Sequence, residues 1–164
     1  MNLIFFLLIT ANYTTTVQQS DELLIGDRVI KLQSYPLEEL NLVKRPFGYT
    51  DKTAPNTSCW RGYKADWTIV NNKLYLKSIN RCYGDTNKPS TANIQDLFNE
   101  NKIEYDIYNN MIHAAWYSGE FVKIDAKFVD AKDRWIKINI TKHNQESMLM
   151  RIENGKVIAN NIHK

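Results

Sequence analysis

Cysteine is scarce: Cys59 and Cys82 are the only two in 164 residues. Two thiolates cannot complete a four-ligand zinc site by themselves, and their spacing is not the C-x-x-C of a redox pair. Glycine and proline are also few, six and four, which excludes collagen-like and low-complexity chains and leaves an ordinary globular composition. Charge of one sign never accumulates. The net charge is +3, and no run of five or six like charges occurs, so the composition gives nucleic acid no support as a partner. No G-x-S-x-G elbow, phosphate-binding glycine loop or H-E-x-x-H is present. The three histidines, His113, His143 and His163, are scattered rather than grouped at ligand spacing. The sequence therefore assigns no catalytic residue, no metal and no cofactor.

Long apolar runs are missing too. The N-terminal run LIFFLLI (3–9) falls well short of the roughly 20 residues that span a bilayer. Followed by small and polar residues, it reads as the hydrophobic part of a secretory leader covering 1–20. No Lys or Arg precedes it, and no A-x-A site follows. The expectation is an exported protein, periplasmic or secreted, with no transmembrane span after the leader. The alternative is a cytoplasmic chain with 3–9 as a buried first strand. In an oxidising compartment Cys59 and Cys82 could form one disulfide. Asn-x-Ser/Thr sequons occur at Asn12, Asn56 and Asn139.

What the chain does have is aromatic residues: four Trp, nine Tyr and six Phe, an enrichment that favours strands. Asn71 and Asn72 tolerate positive φ and suit a two-residue hairpin turn. Closing it pairs Ile69 with Leu74, Trp67 with Leu76 and Ala65 with Ser78 on one face, and Asp66 with Lys77 and Thr68 with Tyr75 on the other. Extending this register leaves Cys59 and Cys82 diagonal on one face, near the outer limit for a disulfide unless the strand bends near Gly62. Further hairpins are predicted at Gly26-Asp27, at Ser118-Gly119 (Trp116 opposite Phe121, Tyr117 opposite Glu120) and at Asn154-Gly155 (Ile152 opposite Val157, Met150 opposite Ala159). RWIKINIT (134–141) alternates as a strand. TANIQDLFNE (91–100) places Ile94, Leu97 and Phe98 on one helical face after Pro89-Ser90, and YPLEEL (35–40) suits one turn opened by Pro36. The expected fold is mainly β: an antiparallel β-meander sheet or partly closed barrel with one or two short helices, forming a single domain over 21–164.

The segments SYPLEEL (34–40), SCWRGYKADW (58–67), NKLYLKSI (72–79), DLF (96–98), AAWYSGE (114–120) and MRIENGKVI (150–158) occur in one order along the chain. In this pattern, WRGY…W…LYL…AxWYSGE, the chain resembles an uncharacterised bacterial protein family. The resemblance implies a shared fold over most of the chain after the leader and implies no activity. It departs between AWYSGE and the last hairpin.

SCWRGYKADW concentrates the candidate chemistry. Alternation puts Cys59, Arg61, Tyr63, Ala65 and Trp67 on the core face and Trp60, Gly62, Lys64 and Asp66 on the other. Arg61 is then a guanidinium among apolar neighbours. It either binds an anion bidentately or forms an internal ion pair, with Glu120 or Asp96 as candidate partners. A second cluster, Trp116, Tyr117, Ser118 and Glu120 with His113 nearby, could line a cleft for a sugar or other polar ligand, or pack into the sheet. The candidate ligand-binding set is Trp60, Arg61, Trp116, Tyr117 and Glu120. The leading expectation is a noncatalytic module binding a ligand or a partner protein. Two alternatives stand beside it. One is a hydrolase of a cell-envelope polymer using carboxylates such as Asp66, Asp96, Glu120 or Asp125, and the other is an inhibitor or immunity-type interaction protein.

Overall fold

A computed structural model of the chain describes residues 18–48, 58–82, 90–122 and 148–161. The expected strand at 134–141, Asp125, His143, His163, the three sequons and most of the expected leader lie outside the described residues.

Turn chemistry sets the local structure. Asn71 and Asn72 both take positive φ (50° and 58°), the backbone of a turn whose twist matches its flanking strands. They join β3 (Tyr63–Val70) to β4 (Lys73–Arg81). Gly26 (φ 55°) turns β1 (Asp21–Ile25) into β2 (Arg28–Leu32). Short β5 (Ile107–Tyr108) and β6 (Met111–His113) are joined by Asn109 and Asn110, again at positive φ, a hairpin not among those expected. Asn154 and Gly155 (φ 46° and 70°) connect β8 (Met148–Glu153) and β9 (Lys156–Asn160), while β7 (Gly119–Val122) precedes them.

The sheet is mixed rather than purely antiparallel. Its order is β2-β1-β3-β4-β9-β8-β7, with β6 on β4 and β5 on β6, and β1 runs parallel to β3. The two ends approach each other: Gln33 donates its backbone N–H to the Val122 carbonyl at 3.4 Å, and the Ser34 hydroxyl donates to the Glu120 carbonyl at 2.8 Å. The result is a nearly closed barrel.

The hairpin register holds from the turn to the pair Trp67–Leu76, then slips by one. Lys77 is the extra residue, so Asp66 faces Ser78 and Ala65 faces Ile79, correcting the expected Asp66–Lys77 and Ala65–Ser78 pairs. A bulge of this kind adds twist, which a curling sheet needs. In β8–β9 the pair Ile152–Val157 forms as expected, but a shift at Arg151 puts Met150 opposite Asn160, not Ala159. The Ser118-Gly119 hairpin does not form. Residues 114–118 turn back on themselves through a Tyr117 N–H to Ala114 carbonyl bond (3.0 Å), and β7 pairs with β8 instead.

Two short helical pieces accompany the sheet. Pro36–Leu40 is a 3₁₀ turn with proline at its start, where its missing N–H costs nothing. Helix α1 (Ile94–Glu100) begins later than expected, because the Asn93 side chain accepts from the Gln95 and Asp96 N–H groups, an N-cap worth about 1 kcal/mol. Its Ile94, Leu97 and Phe98 enter the core with Tyr63, Trp67, Leu76 and Phe121. Burying a side chain of this kind stabilises the fold by about 1.5–3 kcal/mol. The rings meet in series, Phe98 tilted against Trp116 (5.4 Å) and Trp116 edge-on to Trp67 (6.4 Å), tying helix to sheet.

Candidate functional site

The predicted faces of SCWRGYKADW hold. Cys59, Arg61, Tyr63, Ala65 and Trp67 are buried, and Trp60 is 63 % exposed. The partner of Arg61 is neither Glu120 nor Asp96 but Asp21, the first residue of β1. Arg61 Nη1 donates to Asp21 Oδ1 at 2.6 Å, and Nη2 donates to the Gln19 carbonyl. Asp21 has no solvent exposure and also accepts from the Ala65 N–H (3.1 Å) and Trp67 Nε1 (3.1 Å). The rings of Tyr35 and Tyr63 lie 3.9 and 5.1 Å from the guanidinium, where their faces favour a cation.

Burial pushes the Asp21 carboxyl above its usual range, against the pull of Arg61 and the other donors. Burial also disfavours the Arg61 cation, but Asp21, with Tyr63 and Tyr35, more than offsets this and holds Arg61 above its ordinary value. Three donors converge on this one carboxylate, an arrangement that favours its charged form against the burial. The charge of Arg61 is thus paired inside the fold, where the arginine fastens β1 onto β3, while its buried Nε has no hydrogen-bond partner among the described residues. Tyr63 in turn donates to Glu38, and burial with the Glu38 charge raises its phenol well above 10.

Trp60 stands between two anchored neighbours. Cys59 is joined to Cys82 by a disulfide with Cα atoms 6.5 Å apart, within bonding range. The bend that brings them together is at Gly62 (φ 76°), whose N–H bonds the Cys59 carbonyl and whose carbonyl accepts from the Cys82 N–H. The Trp60 N–H itself donates to Gln18 Oε1 at 2.9 Å. An exposed indole is therefore carried on a backbone fixed from three sides.

The second predicted cluster is divided among separate tasks. Trp116 is half-buried and donates its Nε1 to the Pro36 carbonyl at 3.0 Å. Tyr117 is buried against Phe121 (5.5 Å), and its phenol is pushed up to about 12, chiefly by burial. Glu120 lies opposite Arg151 across β7–β8 and pairs with it at 2.6 Å near the surface. His113 is buried on β6 against Tyr75, their rings 5.5 Å apart. Asp66 is held by Ser78 and Asn80 on the outer face of the sheet.

A cleft of about 600 Å³ opens between the 43–48 loop and α1, lined among others by Lys44, Arg45, Phe47, Asp96, Leu97 and Glu100. Lys44 and Glu100 approach to 3.8 Å across it, and Asn101 holds the loop through two bonds to the Lys44 backbone. Phe47 sits at φ 66°, a backbone region that bulky residues rarely adopt. Asp96 is among the carboxylates the sequence nominates, but the cleft is not foreseen there, because nothing local in VKRPFG marks its approach to a helix fifty residues away. Asp21 was legible in principle: alternation along DELLI puts Asp21, Leu23 and Ile25 on one face, the same odd-charge signal that marked Arg61.

Among the described residues no group of three His, Cys, Asp or Glu is arranged to hold a metal ion, and no helix is long and apolar enough to cross a membrane. Compared with protein-family models, with curated proteins and with solved structures, the chain matches none of them.

Proposed function

We propose that the protein is an exported β domain acting as a noncatalytic binding module, with Trp60 as the anchor for a partner protein. The observation that carries this reading is the contrast at 59–61: two buried, covalently or ionically fastened residues flank a tryptophan that is 63 % exposed. Tryptophan is among the residues most enriched at binding hot spots. Fixing its backbone beforehand removes ordering cost from association. Small molecules favour concave sites, whereas a single exposed indole fits a pocket on a second protein. Export is supported by the leader-like N-terminus and by the disulfide, which belongs to oxidising compartments.

The test is affinity purification of the tagged protein and its Trp60→Ala variant from the native host, followed by native mass spectrometry. One protein partner at fixed stoichiometry with the parent, lost from a variant of unchanged melting temperature, supports the reading. A partner retained by the variant, or a small molecule bound in its place, sinks it; the latter outcome would move attention to the cleft beside α1.

A further inference from the structure

Residues 18–20 are tied into the fold more firmly than their position near the expected leader suggests. The Gln19 N–H donates to the Ser58 carbonyl at 2.7 Å, and its own carbonyl accepts from Arg61. The Gln18 side chain accepts from the Trp60 N–H at 2.9 Å. All three bonds end on the segment anchored by Cys59, and two end on the backbone around Trp60.

Composition places the end of the leader at residue 20, which would make Asp21 the first residue of the mature chain. The geometry argues against that boundary. Cutting there deletes all three bonds and removes one of the two acceptors that the buried Arg61 guanidinium has among the described residues.

We propose that residues 18–20 belong to the mature domain and that the peptidase which removes the leader cuts upstream of Gln18. This rests on the export reading above. The step is hydrolysis of one peptide bond: water supplies the carboxylate of the departing leader and the ammonium of the new terminus. The retained Gln18 and Gln19 act as positioning residues for the Trp60 backbone.

Two measurements test this. The exported protein is isolated from its host and its N-terminus read from intact mass and the terminal peptide. Separately, purified full-length protein is trimmed with subtilisin and the stable product weighed. The expected result in both is a chain starting at or upstream of Gln18. A folded product starting at Gln19 or later, with the melting temperature of the parent, overturns the inference. Failure of the export reading shows differently, as an untrimmed chain in the host, and the subtilisin product then decides the inference alone.

Discussion

Arg61 shows how far a single residue can be read. Alternation identified it as a charge on the core face, and that face assignment is correct for all five residues from Cys59 to Trp67. Its partner lies 40 positions away, and no local pattern connects Arg61 to Asp21 before the parallel pairing of β1 with β3 is known. Replacing Arg61 by Ala strands a buried carboxylate, and breaking such a pair costs about 3–5 kcal/mol. Chemical denaturation should show a loss of that size. An Arg61→Ala protein of parental stability would return the residue to the role of an anion site. Two tyrosines add a pH dependence. Tyr117 ionises near 10 when unfolded but is held protonated to about 12 in the fold, and Tyr63 is raised further. The folded state therefore binds more protons than the unfolded chain in this window. Their contribution to stability is complete below pH 10 and declines as pH rises through the folded values. A spectrophotometric titration should find these two phenols silent until the protein unfolds; early ionisation of all nine tyrosines would contradict it.

At the scale of elements, turns were legible and registers only partly so. Asn71-Asn72, Gly26-Asp27 and Asn154-Gly155 were each recognisable because their residues tolerate positive φ. The β3–β4 and β8–β9 registers hold for the first pairs beside the turn, and the slips at Lys77 and Arg151 are irregularities that turn chemistry does not encode. Ser118-Gly119 misled for a specific reason. Gly119 is no turn residue; it is small because the Tyr117 hydroxyl would stand 2.7 Å from any Cβ there. Gly155 has both constraints, with φ +70° and the Ala114 carbonyl 2.7 Å from where a Cβ would sit. Gly26 has positive φ but open space around it. Gly26→Ala should therefore cost about 1 kcal/mol, and Gly155→Ala clearly more, since a backbone clash is added to the strain. Equal melting temperatures for the two variants would contradict the packing around the β8–β9 turn.

The whole molecule is the mainly β, partly closed barrel-like sheet expected of it, mixed rather than purely antiparallel. Local signals specify hairpins, but the parallel contact of β1 with β3 and the approach of β2 to β7 are long-range arrangements that turn chemistry does not encode. The candidate site shares this limit. The exposure of Trp60 followed from alternation, while the anchors that suit it to docking come from the disulfide and from residues 18–21. Cys59 and Cys82 are 23 positions apart, and closing a loop of that length stabilises a fold by about 3 kcal/mol in the chain-entropy account. A paired Cys59→Ala, Cys82→Ala variant should lose stability of that order in urea unfolding, and no loss would show that the bridge does not constrain the chain. The central claim, an exported and oxidised binding module, is tested most directly by native mass spectrometry of the protein purified from its own host without reductant. The account predicts a chain shorter than 164 residues, two hydrogens lighter than its reduced form and carrying one bound protein. A full-length, reduced and bare chain would contradict it.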